Sequence, residues 1–115
     1  FLAPVVMGNA SRPELARELQ DSFCSTDPEV AGRFARATFL SDYRSVLPRV
    51  AVPALVLQCA EDAIAPDEVG DYVHRQLAGS TLRRLAATGH CPHMSHPDET
   101  IAAMRAWLER SEASA

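Results

Sequence analysis

A chain of 115 residues is long enough to form one domain with a core of its own, so its length alone does not make it a fragment. Its formal net charge of −4 comes from acidic and basic residues of mixed order, without the lysine and arginine block that nucleic-acid-binding proteins carry. We therefore expect no nucleic acid as a partner. No apolar stretch approaches the roughly 18 residues needed to cross a bilayer, so we expect no membrane as a partner either.

Two amphipathic helices are predicted in the first third of the chain. Ser11-Arg-Pro-Glu14 is a capping-box pattern, and the apolar residues behind it recur at a spacing of four, which predicts a helix over residues 12–24. Thr26-Asp27-Pro28-Glu29 repeats the start signal and predicts a second helix, so that the two form a helical hairpin. Residues 41–50 are polar and contain one proline, which indicates a short helical turn and a connector.

The rest of the chain alternates between strands and helices. A short apolar run at residues 53–58 predicts a buried parallel strand, and a helix follows from Pro66. A second strand is predicted over residues 81–86 and a last helix from Pro97 onwards. The order β-α-β-α is that of a doubly wound α/β sheet. Because two parallel strands cannot complete such a sheet, we expect further strands before Phe1.

Asp62 and His90 are the candidate catalytic residues, since each lies just past the end of a predicted strand. The carboxyl ends of parallel strands meet at one edge of the sheet, where catalytic groups collect. Aspartate followed by histidine is the second half of the Ser-Asp-His order of α/β-hydrolases, in which the carboxylate fixes the imidazole tautomer and the imidazole deprotonates the serine. An aspartate in such a turn is also a common N-cap, and Glu61 is a rival acid.

Three segments carry a resemblance to a known family: Gln58-Cys-Ala-Glu-Asp-Ala-Ile-Ala-Pro66, Val69-Gly-Asp-Tyr-Val-His74 and Ala87-Thr-Gly-His-Cys-Pro-His-Met-Ser-His-Pro-Asp-Glu-Thr100. They resemble the α/β-hydrolases of the RsbQ type, which regulate a sigma-factor stress response, and their plant relatives, the karrikin and strigolactone receptors. The resemblance implies the C-terminal part of an α/β-hydrolase fold. Residues 1–50 would be the end of a helical lid and its return to the core, and residues 51–115 the β-α-β-α part of the core.

Taken residue by residue, the resemblance makes Asp62 the acid and His90 the base of a catalytic triad, and Phe39 a lid-side residue of the substrate pocket. The family's serine lies in a Gly-x-Ser-x-Gly elbow, a pattern that does not occur in this sequence. We therefore expect the nucleophile to lie outside these 115 residues. The resemblance implies a small hydrophobic ligand, no cofactor, and a partner protein phosphatase through which ligand binding or turnover activates a stress response.

Two other functions stay open at this point. A plain esterase or lactonase without a regulatory partner would carry the same fold and triad, because neither feature defines what the reaction is for. A non-catalytic interaction module would keep Asp62 and His90 only as relics of an ancestral enzyme. The sequence upstream of Phe1 distinguishes an interaction module from an enzyme, since only an enzyme requires a nucleophile elbow in that upstream sequence.

Cysteine and histidine residues bear on metal binding and on the compartment. His90 shares a stretch of seven residues with three further possible ligands, Cys91, His93 and His96. No second group of ligands follows in the sequence, so no metal site is predicted, and Cys91 is expected to be a small packed residue. The chain holds three widely spaced cysteines and no signal-peptide pattern, which favours reduced thiols and a cytoplasmic protein.

Overall fold

The computed structural model describes residues 2–113, with Glu112 by its backbone alone. In chain order its elements are α1 (Leu2–Met7), α2 (Pro13–Cys24), α3 (Pro28–Phe39), a 3-10 helix (Arg44–Arg49), β1 (Ala54–Ala60), α4 (Asp67–Gln76), β2 (Ser80–Thr88), α5 (Pro92–Ser95) and α6 (Pro97–Glu112). The β-α-β-α order predicted for the second half is confirmed. No helix within residues 2–113 combines the length and the apolar character that a membrane span requires.

Helices α2 and α3 begin at the prolines of their two start signals, but only α3 has a side-chain cap. The Asp27 carboxylate accepts hydrogen bonds from the backbone N–H groups of Glu29 at 2.9 Å and Val30 at 3.1 Å, which satisfies the first turn of α3. The capping box predicted at Ser11 is wrong. Helix α2 has Arg12 at its N-cap and no side-chain cap, since a guanidinium offers no acceptor to the first helical N–H groups. The Arg12 side chain instead donates to the Ser95 carbonyl oxygen at 2.7 Å.

Helices α1 and α5 were not predicted from the sequence. With six and four residues they are too short to show the apolar spacing by which a helix is recognised. Tertiary packing supports both of them. Met7 of α1, Leu15 of α2 and Cys91, which directly precedes α5, form one buried cluster. This cluster places the C-terminal end of α1 beside the loop that follows β2.

Strands β1 and β2 pair in parallel, with α4 as the connection between them. Cys59 of β1, together with Leu85 and Ala87 of β2, forms a second buried cluster, against which Ala103 of α6 packs. Both strands therefore end at the same edge of the sheet, as the sequence predicts. Helix α3 contributes no buried residue to either cluster.

Candidate active site

Asp62 lies two positions past β1 in a tight turn. Glu61, between them, has a φ of +51°, in the left-handed region that non-glycine residues rarely occupy. That turn leaves Glu61 exposed and Asp62 buried. The Asp62 Oδ1 atom accepts hydrogen bonds from the backbone N–H groups of Ile64 at 2.9 Å and Ala65 at 3.0 Å. One carboxylate oxygen is thus held by the loop, and the other is left for a partner.

That partner is His90, whose Nδ1 atom lies 2.8 Å from Asp62 Oδ2. The prediction that the two side chains lie within hydrogen-bond reach is confirmed, and Asp62, not Glu61, is the carboxylate that faces the imidazole. A carboxylate oxygen only accepts hydrogen bonds, so Nδ1 carries the proton and Nε2 of the neutral ring is an acceptor. The Asp62 side chain is 6% exposed and that of His90 is 42% exposed. The ring therefore remains open to a reacting group.

The charge state of Asp62 follows from the same contacts. Burial acts to raise the pKa of its carboxyl, since a charged group loses hydration. The hydrogen bonds from the Ala65 backbone, the His90 side chain and the Ile64 backbone act the other way and outweigh burial, so the pKa of Asp62 is lowered. Asp62 is consequently an anion near neutral pH and can stabilise an imidazolium that forms beside it.

The His90 loop is held from the N-terminal side by the segment around α1. The His90 backbone N–H donates to the Val6 carbonyl oxygen at 2.8 Å. The Asn9 side-chain amide donates to the carbonyl oxygens of Met7 at 2.5 Å and Thr88 at 3.0 Å. Sequence reasoning missed Asn9, because residues 79 positions apart give no local signal of their contact.

The acid loop has a support of its own in Gln58, a buried residue of β1. Its side-chain amide donates to the Ala65 carbonyl oxygen at 2.8 Å, and the Ala65 backbone N–H in turn donates to Asp62. A Cβ atom on Gly70 of α4 would overlap Gln58 Oε1. Gln58 is a second residue of the site that the sequence analysis missed, although a polar side chain within an apolar strand was a signal for it.

Gly89 allows the backbone of the His90 loop to lie against α1. Its φ is +81°, and a Cβ atom there would overlap the Met7 carbonyl oxygen. We expect Gly89→Ala to lower the free energy of unfolding by about 3 kcal/mol, the sum of a left-handed backbone penalty and an overpacking penalty. Urea unfolding followed by circular dichroism measures this loss.

Gly79 provides the matched control for that substitution. Its φ is +76°, but a Cβ atom there would meet nothing within 4 Å. Gly79→Ala should therefore lower the free energy of unfolding only by the backbone penalty, about 1 kcal/mol. Equal losses in the two variants would mean that the contact between Gly89 and Met7 does not contribute to stability.

Phe39, the predicted pocket residue, lies at the C-terminal end of α3 and is 75% exposed. It lines an apolar cavity of about 440 Å³ between α1, α2 and α3, together with Leu2, Phe23, Val30 and Phe34. Neither Asp62 nor His90 lines this cavity. The structure thus brings the two candidate catalytic residues together but does not bring Phe39 to them, and its role in a substrate pocket stays a prediction.

The residues considered as metal ligands are placed apart. Cys91 is buried against Met7 and Leu15, and burial raises the pKa of its thiol, which keeps it protonated. His93 is exposed, and His96 Nδ1 lies 2.9 Å from Ser95 Oγ. Within residues 2–113, no three His, Cys, Asp or Glu side chains come together in a way that could hold a metal ion.

The sequence of this chain is similar to those of known proteins. The sequence pattern of the alpha/beta hydrolase family matches residues 2–103. A probable esterase of Oryza sativa subsp. japonica is 33% identical over 100 residues, which are 86% of this chain and 37% of that protein. The karrikin insensitive 2 receptor CA of Petunia hybrida is 32% identical over 100 residues, with the same two shares.

A solved structure shares the fold of this chain. A hydrolase from Oleispira antarctica superposes with a TM-score of 0.89 at 44% sequence identity, over 94% of this chain and 40% of the hydrolase. The chain thus spans well under half the length of the relatives it matches. The matched lengths leave most of each relative without a counterpart in these 115 residues.

Proposed function

Because the chain belongs to the alpha/beta hydrolase family, we propose that it is the C-terminal part of a serine hydrolase that acts on ester bonds of small, largely apolar molecules. The observation that carries this proposal is the 2.8 Å hydrogen bond between His90 Nδ1 and Asp62 Oδ2. It gives the imidazole the tautomer that a general base needs, with Nε2 free to accept a proton. The nucleophilic serine belongs to the sequence that precedes Phe1 in the full-length protein.

The chemistry proposed for these residues is a two-step acyl transfer. His90 Nε2 takes the proton of the serine hydroxyl as the serine oxygen attacks the ester carbonyl, and the Asp62 carboxylate stabilises the imidazolium. The imidazolium then gives that proton to the leaving alcohol, which leaves an acyl-serine. In the second step His90 deprotonates a water molecule that attacks the acyl group, and the proton returns to the serine as the acid is released.

The domain division of the full-length protein is part of this proposal. Residues 1–50 form the end of a helical lid and its return to the core, and residues 51–115 form the β-α-β-α part of the core. The exposed apolar side chains of α2 and α3 support a role in covering a hydrophobic ligand, with Phe39 as a pocket residue. Three free cysteines, two of them buried, support a reducing compartment such as the cytosol.

A serine-directed label tests the enzymatic proposal. The gene is read upstream of Phe1, and the full-length protein is treated with a fluorophosphonate, which reacts with activated serines. We expect a Gly-x-Ser-x-Gly elbow and labelling of its serine, lost in His90→Ala because the base is gone. If no elbow is encoded, or if the serine stays unlabelled, the chain belongs to a non-catalytic interaction module instead.

The finer proposal is that the full-length protein is a regulator of the RsbQ type. The likeness of residues 58–66 and 87–100 to that family supports it, as does a relative that is named a receptor. On this proposal a small hydrophobic ligand, bound or hydrolysed, signals through a protein phosphatase that controls a stress response. Relatives named esterases equally support a plain esterase or lactonase without a partner.

A pull-down with the full-length protein separates these two functions. A regulator retains a protein phosphatase from the same organism, and its ligand changes the amount retained, since ligand and partner are coupled. A protein that hydrolyses esters but retains no phosphatase, with or without ligand, is a plain esterase or lactonase.

A further inference from the structure

The pairing of β1 with β2 changes register just before the candidate active site. Ala54 lies opposite Ser80, 26 positions further along, and the same offset holds as far as Cys59 opposite Leu85. The next pair is Ala60 and Thr88, which are 28 positions apart. Strand β2 thus contains two extra residues, Ala86 and Ala87, that oppose nothing on β1 and form a β-bulge.

The new offset is the one that separates Asp62 from His90, which are also 28 positions apart. In the register of the first six pairs, the residue level with Asp62 would be Thr88. His90 would then lie two residues further on, roughly 6–7 Å along the strand direction. That displacement exceeds the reach of a hydrogen bond. The bulge is therefore what brings the imidazole level with the carboxylate.

One side chain from α6 bonds to both residues of this bulge. Glu99 Oε1 accepts a hydrogen bond from the Ala86 backbone N–H at 2.6 Å, and Glu99 Oε2 accepts one from the Ala87 backbone N–H at 2.9 Å. Successive N–H groups of a regular strand point to opposite sides, so one carboxylate can bind both only where the strand is bulged. Two adjacent N–H groups aimed at one anion form a small anion-binding nest.

The position of Glu99 in its helix indicates that this contact is not an ordinary cap. Glu99 lies in the first turn of α6, three residues after the N-cap His96, where a glutamate commonly bonds back to the N-cap backbone. Here both carboxylate oxygens bond to β2 instead. The helix N-terminus still favours the negative charge at this place.

We infer that Glu99 is a positioning residue for His90, because its carboxylate holds the two-residue bulge that brings the imidazole into register with Asp62. Glu99 acts through the backbone of Ala86 and Ala87. The catalytic consequence rests on the proposed hydrolase function, whereas the structural consequence does not. Loss of either hydrogen bond lets β2 slip towards the regular register, and His90 moves away from Asp62.

The test compares Glu99→Gln with Asp98→Asn in the full-length protein. Both substitutions remove one negative charge from the first turn of α6, but Asp98 is an exposed residue that does not bond to the bulge. The primary readout is proton NMR of the His90 Nδ1–H, which resonates at low field while it is bonded to Asp62. A second readout is amide hydrogen exchange at Ala86 and Ala87.

We expect Glu99→Gln to abolish or shift the low-field resonance and to speed exchange at both alanines, and Asp98→Asn to leave both readouts unchanged. In the same position a glutamine presents its NH2 group, a donor, to one of the two N–H groups, which then loses its partner. Glu99→Asp keeps the charge but shortens the side chain. If Glu99→Gln fails to fold, the same two readouts are measured on Glu99→Asp. An unchanged resonance and unchanged exchange in a folded Glu99 variant would overturn the inference.

Turnover separates this inference from the proposed function. If the full-length protein hydrolyses an activated ester, Glu99→Gln should lower kcat by at least about 100-fold, since a misplacement of only about 1 Å already has that effect, with little change in KM. A protein without any activity, in which the resonance still depends on Glu99, would refute the proposed hydrolase and leave the positioning role intact. If the Glu99 variants kept both the turnover and the low-field resonance of the unmodified protein, the positioning role would be refuted and the proposed hydrolase function would not.

Discussion

His90→Ala is expected to lower kcat of the proposed full-length enzyme for an activated ester by about a million-fold, the loss seen when a serine hydrolase is deprived of its base. Among residues 2–113, His90 is the only histidine that bonds to Asp62, and its Nε2 atom can accept the serine proton. Without His90 no base removes the proton of the serine hydroxyl, and no acid donates a proton to the leaving alcohol. Release of p-nitrophenol from p-nitrophenyl acetate measures the rate.

His93→Ala is the matched control for that substitution, since His93 is an exposed histidine three residues further along the same segment. Its kcat should stay at the level of the unmodified protein. The His90 side chain is itself 42% exposed, so its removal should change the free energy of unfolding by less than about 1 kcal/mol. Near-normal turnover by a folded His90→Ala variant would disprove the proposed mechanism.

Asp62→Asn is expected to lower kcat by about 10,000-fold, because the tautomer of His90 is reversed. The asparagine oxygen can still accept from the Ile64 and Ala65 backbone N–H groups, which keeps the loop in place. Its NH2 group then faces Nδ1 of His90, which must become an acceptor, and the proton moves to Nε2. A ring protonated at Nε2 cannot take the proton of the serine.

Glu61→Gln is the control for this prediction, because Glu61 is the neighbouring carboxylate and is exposed. Its kcat should remain close to that of the unmodified protein. The nitrogen-15 chemical shifts of His90 report the tautomer directly and should change in Asp62→Asn but not in Glu61→Gln. If Glu61→Gln reduced turnover and Asp62→Asn did not, the acid would be assigned to the wrong residue.

The sequence identified the two residues of the site but little of what holds them. Asp62 and His90 were recognised because each follows a strand and because their order along the chain matches a known pattern, whereas the choice of Asp62 over Glu61 rested on the family resemblance. Gln58, Asn9 and Glu99 were not singled out, although all three bond to the backbone of the acid loop or of the C-terminal end of β2. Their side chains are polar, and a polar side chain does not reveal its partner from the sequence.

Local pattern and tertiary contact thus account for different parts of this protein. The strands, the four longer helices and the chemistry available at the strand ends follow from the sequence, since hydrophobic period and turn residues act over a few neighbouring positions. The register of the two strands does not, because it is set by contacts between distant residues. The bulge at Ala86 and Ala87 depends on Glu99, 13 and 12 positions away, and the His90 loop depends on Asn9, 79 positions from Thr88. Contacts over such separations form only when the whole chain has folded, which is why they leave no periodic trace in the sequence.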